Sequence, residues 1–129
     1  MRDELNENNE ELAKKIVHSA YLVHSALGPG LLESVYEHCF CHELEKQGLI
    51  VQRQMPVPIN YDGLFFDAAL RLDVIVEGTV ICELKAVEHV LPVHSAQLLS
   101  YMKLKNARLG FLINFNVPMI KQGIRRFIL

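Results

Sequence analysis

The sequence predicts an α/β fold in which a mixed β-sheet is flanked by helices. Two segments with helical spacing of apolar residues come first, five segments suited to strands follow, and one more helical segment lies between the third and fourth of these strands. That order fits helices packed on a mixed sheet. A chain of 129 residues is long enough for one domain and too short for two. We therefore expect a polar N-terminal segment at residues 1–9 and a single domain at residues 10–129.

Two helices are predicted in the first third of the chain. From about Asn9 to Leu27 apolar residues recur every three or four positions, which is the spacing of an amphipathic helix. Gly28-Pro29-Gly30 then ends it. The second helix is expected at residues 31–47, because Gly48 suits the left-handed backbone position after a helix end.

An edge strand is expected next. Apolar and polar residues alternate from Val51 to Ile59, and Arg53 breaks the alternation. Pro56 and Pro58 lack N–H groups on the same side of this strand, so it can only lie at the edge of a sheet.

The return strand is expected at residues 66–76, after the hairpin signal Asp62-Gly63. Glu77-Gly78 turns the chain again at its end. Asp73 is expected on the face opposite to the apolar residues of this strand. The residues predicted to share the apolar face are Ala68, Leu70, Leu72, Val74 and Val76.

The rest of the chain predicts a strand, a helix and two more strands. The third strand is expected at residues 80–87, and Pro92 opens a helix that runs to about Lys105. Residues 109–115 are almost continuously apolar, as in a strand that is covered on both faces. A short final strand is expected at residues 124–128.

Three charged residues of this meander are candidates for a site. Glu83 and Lys85 lie two residues apart on one strand and therefore share a face. Asp73 lies across the short turn, so Asp73 and Glu83 are expected to be near neighbours. Two carboxylates repel each other unless a cation lies between them, and Mg²⁺ prefers such oxygen ligands. The alternative is a simple ion pair between Lys85 and one of the carboxylates.

Polar residues on two helices are weaker candidates. Glu33 and Tyr36 share a face of the second helix, although the helix dipole alone would favour a carboxylate in its first turn. Gln97 and Tyr101 lie four residues apart on the third helix, with His94 one turn earlier on the same stripe. Such a pair is also common at the polar edge of a core.

The cysteines indicate neither disulfides nor zinc. His38, Cys39, Cys41 and His42 lie within one helix, where only the two histidines stack, and no partner pair at zinc-site spacing follows. With Cys82 the cysteines are odd in number, which excludes a fully paired framework within one chain. Buried free thiols are therefore expected.

Charge is distributed unevenly along the chain. Residues 89–129 carry no acid, and such a segment is a candidate surface for a polyanion or a solvated surface that lacks carboxylates. Apolar runs are too short to cross a bilayer, and the acidic start Met1-Arg2-Asp3-Glu4 is unlike a signal peptide, so a cytoplasmic protein is expected. The six bases of the segment are Lys103, Lys105, Arg108, Lys121, Arg125 and Arg126.

Taken in order, these residues resemble the PD-(D/E)XK nuclease superfamily, and more narrowly its GxxExxY branch. The resemblance covers about residues 10–129. Leu72 stands where the superfamily motif has proline, at a position that varies within the superfamily. The four matching elements are Gly30-Leu31-Leu32-Glu33-Ser34-Val35-Tyr36, Asp73, Glu83-Leu84-Lys85 and Gln97-Leu98-Leu99-Ser100-Tyr101.

The resemblance implies a metal-dependent nuclease that acts on nucleic acid, with DNA as the expected substrate. It implies that Asp73 and Glu83 bind Mg²⁺ or Mn²⁺, that Leu84 adds its backbone carbonyl, and that Glu33 completes or supports the acidic cluster.

The same resemblance implies roles for three further side chains. Lys85 would orient the attacking water or stabilise charge that develops on the phosphate. Gln97 and Tyr101 would position the site or the nucleic-acid strand.

The open alternative is a nucleic-acid-binding or scaffolding domain that keeps the nuclease fold without cutting. The small size and the net charge of −2 support it. A homodimer or a larger protein partner would supply missing substrate surface through the edge strands and the first helix, because specific protein–DNA interfaces bury about 1,000–2,500 Å² of protein surface. No membrane partner is expected.

Overall fold

The predicted order of helices and strands is confirmed in the computed structural model, which describes residues 6–129. A 3₁₀ turn at Ile120–Gly123, which the sequence did not predict, precedes the last strand. The elements are α1 (Glu7–Leu27), α2 (Glu33–Lys46), β1 (Val51–Tyr61), β2 (Leu64–Val76), β3 (Val80–Lys85), α3 (Pro92–Lys105), β4 (Leu109–Asn114) and β5 (Ile124–Ile128).

The start of α1 lies slightly before the predicted one. The Asn6 side chain accepts a hydrogen bond from the Asn9 backbone N–H at 2.8 Å, and Glu7 and Glu10 place negative charge in the first turn. The predicted polar segment at residues 1–9 therefore overlaps the helix at its end, and its first five residues lie outside the described part of the chain.

The five strands form one mixed sheet in the order β1-β2-β3-β4-β5. Only β3 and β4 pair in parallel, with α3 as the crossover between them, and the other neighbours are antiparallel. β1 lies at an edge, as Pro56 and Pro58 predict. β4 is buried along its whole length, which confirms the strand expected to be covered on both faces.

Helices cover both faces of this sheet. The first core lies between the sheet and the pair α1 and α2, and the Tyr36 and Phe115 rings stack in it with centroids 4.6 Å apart. The second core lies between the sheet and α3, where Leu98 and Met102 are fully buried. Two cores on opposite faces explain why β3 and β4 are apolar on both sides.

The expectation that the apolar residues of β2 share one face is wrong. Leu72 packs in the second core together with Ile75, whereas Val74 and Val76 pack in the first core. Alternation is regular from Val74 onward, so the change of face occurs at Asp73. Ala68 and the residues before it are exposed on the projecting part of the hairpin.

β1 changes face at the same level. Val51 packs against the first core, whereas Met55 and Val57 belong to the second. Arg53 pairs with Val74 and Met55 pairs with Leu72, but Gln54 and Asp73, which lie between these pairs, do not pair. Gln54 has a positive φ of 51°. Both strands therefore bend together at one level of the sheet.

All three cysteines are free thiols. Cys41 and Cys82 are buried, as expected, and Cys39 is half-buried. Burial raises the pKa of Cys41 to about 12 and raises the pKa of Cys82 well above its usual range. Among the described residues, no helix combines the length and the apolar character that a membrane span requires.

Candidate active site

β2 and β3 separate where the candidate carboxylates lie. The two strands pair only from Val76 with Val80 to Val74 with Cys82. Asp73 and Glu83 would form the next pair of this register. At this level, backbone N–H groups donate to the two carboxylates instead of to main-chain carbonyl oxygens of the neighbouring strand. The Asp73 N–H donates to Glu83 Oε2 at 3.0 Å, and the Leu84 N–H donates to Asp73 Oδ2 at 2.9 Å. The sequence-based expectation that these two acids are near neighbours is confirmed.

Burial makes this pair of carboxylates costly to ionise. Glu83 is only 7% exposed, and burial, followed by the nearby Asp73 charge, raises its pKa to about 8. Burial also raises the pKa of Asp73, an effect that the Leu84 N–H partly offsets. Two acids in this position favour a shared proton or a bound cation.

Lys85 lies at the end of β3 and acts on the carboxylates through space. Its charge lowers the pKa values of Asp73, Glu83 and Glu33, but among the described residues it forms an ion pair with none of them. The simple ion pair considered from the sequence is therefore not formed. Among the described residues, no cationic side chain forms an ion pair with Asp73, Glu83 or Glu33.

The segment after β3 is fixed by Asn114, at the end of β4. The Asn114 side chain accepts a hydrogen bond from the Val87 N–H at 3.0 Å and donates one to the Val87 carbonyl oxygen at 2.9 Å. The Lys85 carbonyl oxygen accepts from the Phe115 N–H at 2.9 Å. These contacts hold the backbone around Lys85 against the sheet, so its position is set by long-range contacts.

Glu33 begins α2 at the rim of this site. Its side chain is exposed, yet partial burial raises its pKa, with a lowering effect from Lys85 and a raising effect from Asp73. Within residues 6–129, no three acidic, histidine or cysteine side chains converge on one point as metal ligands do. Glu33 therefore shares the electrostatic field of the carboxylate pair without completing a three-residue cluster.

The loop that leads to Glu33 is closed by Tyr36. Its hydroxyl donates to the Gly28 carbonyl oxygen at 2.5 Å and accepts from the Leu31 N–H at 3.1 Å. Gly30 has a φ of 96°, a conformation that side chains with a Cβ rarely adopt. The glycine and tyrosine of the GxxExxY motif thus shape the turn from which α2 starts.

α3 presents Tyr101 toward the site. Tyr101 is half-buried, and burial, with smaller effects from Glu83 and Asp73, raises its pKa. Gln97 is exposed one turn earlier. His94 Nδ1 accepts from the Leu91 N–H at 3.0 Å, so this histidine caps the helix.

Three functional candidates were missed from the sequence: Glu37, Arg53 and Gln54. Glu37 is 7% exposed; its Oε2 accepts from Arg53 Nε at 3.1 Å and from Arg53 Nη2 at 2.9 Å, and its Oε1 accepts from Gln54 Nε2 at 2.7 Å. Gln54 also lies opposite Asp73 in the register of β1 and β2, and its side chain lowers the pKa of that carboxyl. The only sequence signal was the break in alternation at Arg53.

The six bases of residues 89–129 are all exposed. They lie at the end of α3, in the 3₁₀ turn and on β5, with Arg108 in the loop before β4. Arg126 contacts Glu10 of α1 at 3.3 Å. This surface remains a candidate for contact with a polyanion.

Comparison with known proteins gives one family. The model of the PD-(D/E)XK nuclease superfamily matches residues 10–127, which includes the helices and strands around the carboxylate pair. No curated protein and no solved structure matches the chain significantly.

Proposed function

The chain belongs to the PD-(D/E)XK nuclease superfamily, and we propose that it is a metal-dependent nuclease that hydrolyses phosphodiester bonds in nucleic acid, with DNA as its substrate. The observation that carries this proposal is the close pairing of Asp73 and Glu83: the Asp73 N–H donates to the Glu83 carboxylate and the Leu84 N–H donates to the Asp73 carboxylate, and a cation bound between the two acids would offset their repulsion.

The donor set fits a hard divalent cation such as Mg²⁺ or Mn²⁺. Asp73 and Glu83 would hold it through carboxylate oxygens, and the Leu84 carbonyl would add a third oxygen. Glu33 would support the ion from the rim of the site. When bound, the ion lowers the pKa of its water and offsets charge on the phosphodiester.

Lys85 would place a fixed positive charge where negative charge grows on the phosphate. Its backbone carbonyl oxygen accepts from the Phe115 N–H, which fixes the point from which its side chain extends. Tyr101 and Gln97 would position the nucleic-acid strand along α3. A homodimer or a larger protein partner would extend the substrate surface.

Replacing Asp73 tests the proposal. We expect Asp73→Ala to abolish Mg²⁺-dependent cleavage of plasmid and oligonucleotide DNA while the circular dichroism spectrum stays that of the folded protein. The matched control is Asp67→Ala, which removes an exposed carboxylate from the same strand. Cleavage that survives Asp73→Ala would refute the assignment, and RNA substrates in the same assay identify the preferred nucleic acid.

The second candidate function is nucleic-acid binding without cleavage. It is favoured by the lack of a third converging ligand among the described side chains. Calorimetry with Mn²⁺ separates the two functions, because a nuclease binds the ion and a non-cleaving domain has no need of it. Absence of Mn²⁺ binding at millimolar concentration would favour the second function.

A further inference from the structure

Gln54 connects the buried Glu37 to the level of the sheet at which the carboxylate pair lies. Its side-chain nitrogen donates to Glu37 Oε1 at 2.7 Å, and Gln54 lies opposite Asp73 in the register of β1 and β2. Glu37 is itself held by two hydrogen bonds from Arg53. The amide group of Gln54 is therefore held by α2 at the level of Asp73 on β2.

The backbone of Gln54 is held in an unfavourable conformation. Its φ of 51° is one that residues other than glycine rarely adopt, and neither Gln54 nor Asp73 takes part in the ladder between β1 and β2. Such a conformation persists where the surroundings impose it, and it is concentrated at functional sites. Here it directs the side chain to the α2 side of the sheet, where Glu37 lies.

We propose that Gln54 is a positioning residue, whose amide, oriented by Glu37 and Arg53, fixes the Asp73 carboxylate next to Glu83. Asp73 lies where the sheet is interrupted on both sides, so the ladder does not fix its side chain. The Leu84 N–H binds one carboxylate oxygen. The Gln54 amide, which faces Asp73 from the opposite strand and lowers the pKa of that carboxyl, would supply the second donor. Two donors from two strands define the direction of a carboxylate better than one.

The inference rests on the proposed function only in taking Asp73 as a metal ligand. Its structural part concerns a hydrogen bond that exists without metal. Hydrogen exchange of the Leu84 amide reports on that bond directly, because this N–H donates to Asp73 Oδ2. The measurement therefore remains informative whether or not the protein cleaves nucleic acid.

The test uses Gln54→Gly on the full chain. Glycine tolerates the positive φ, so the variant removes the amide without opposing the backbone, and Gln54→Ala is the second variant. Gln52→Ala, an exposed glutamine two residues earlier on the same strand, is the matched control. We expect exchange of the Leu84 amide to become roughly tenfold faster in the Gln54 variants, the effect of one lost hydrogen bond, while the Ile81 amide is unchanged.

Two results would overturn this proposal. One is an unchanged Leu84 amide in folded Gln54→Gly, and the other is equal acceleration at Ile81, which would indicate general loosening. Calorimetry with Mn²⁺ alone should show about 10–100-fold weaker binding in the Gln54 variants than in the control. Equal Mn²⁺ affinity would refute positioning of the ligand, whereas a wild-type protein that binds no Mn²⁺ would defeat the proposed nuclease function and leave the exchange result standing.

Discussion

The backbone N–H of Asp73 donates to the carboxylate of Glu83 at 3.0 Å, across two strands that have stopped pairing. In an unbroken ladder this N–H would meet a main-chain carbonyl oxygen. Because a carboxylate takes that place, two acids lie side by side in the sheet, Glu83 buried and Asp73 half-buried. The same hydrogen bond therefore both interrupts the pairing of β2 with β3 and brings the two acidic side chains together.

The first prediction concerns stability and pH. In the metal-free protein the free energy of unfolding should fall as the pH rises from about 4.5 to about 8, because the pKa of Glu83 is raised from 4.5 to about 8 in the folded state. The folded protein binds more protons in this window, so its stabilisation is complete below pH 4.5 and is lost as the pH rises through 8. Over the whole window the loss is on the order of 5 kcal/mol, because each pKa unit corresponds to about 1.4 kcal/mol. Urea unfolding in a chelator, at pH 5 and pH 8.5, measures it; a curve that is flat or rises would contradict the prediction.

The second prediction concerns Glu83→Gln. Glutamine keeps an oxygen that accepts from the Asp73 N–H and is always neutral, whereas Glu83 must take up a proton on folding at pH 7.5. We therefore expect the metal-free variant at pH 7.5 to gain about 1–3 kcal/mol of unfolding free energy. Binding of Mn²⁺ should be lost at the same time. Urea unfolding and calorimetry on the same preparation test both effects. The prediction would be contradicted by a variant that is less stable than the wild type, or by one that binds Mn²⁺ as tightly as the wild type.

The third prediction distinguishes the role of Lys85 in cleavage from a role in binding the metal ion. In Lys85→Met we expect cleavage to fall at least about 100-fold, because a fixed cation next to the phosphate is removed. Mn²⁺ should still bind, since both carboxylates remain. Lys103→Met, which removes an exposed lysine of α3, serves as the control. Loss of Mn²⁺ binding in Lys85→Met would show that this lysine supports the ligands instead.

The fourth prediction compares two buried glycines of the β4 region. A Cβ at Gly123 would lie 2.0 Å from the Asn114 carbonyl oxygen, whereas a Cβ at Gly110 would meet the flexible end of the Met102 side chain at 2.6 Å. We expect Gly123→Ala to cost about 3 kcal/mol of unfolding free energy and Gly110→Ala about 1 kcal/mol. Chemical denaturation of the two variants measures the difference. Equal losses would contradict the prediction, because they would mean that the Asn114 carbonyl group moves away from the new Cβ as easily as the Met102 side chain does.

Much of the fold follows from periodicity and turn residues. The helix at Pro92–Lys105 has the predicted bounds, and Pro56 and Pro58 correctly placed β1 at an edge. Local signals of this kind are sufficient because proline and the apolar spacing act within a few residues.

The change of face at Asp73 left no such signal in β2. From Leu70 to Val76 the apolar residues alternate without a break in the sequence, although the strand turns over at Asp73. Both strands change face together, so their register is the same on either side of that level and the hairpin turn reveals nothing. Sequence periodicity cannot show a bend that two paired strands share.

The candidate site was predictable only in part. Asp73 and Glu83 are joined by one short turn, so their proximity followed from the meander. The network of Glu37, Arg53 and Gln54 joins a helix to a strand 16 and 17 residues later, and its partners are set by packing of α2 on the sheet. The metal and catalytic roles of the individual residues stay predictions that the variants above test.

Cys82 precedes Glu83 in β3 and lies fully inside the first core. Because its pKa is far above the usual range, the folded protein contains almost no reactive thiolate at this position. A thiol reagent can modify Cys82 only when the first core opens, so its labelling rate should measure how often α1 and α2 separate from the strand that holds Glu83. The half-buried Cys39 should react faster, because it is already partly accessible. Cys82 thus offers a chemical probe of the packing behind the carboxylate pair.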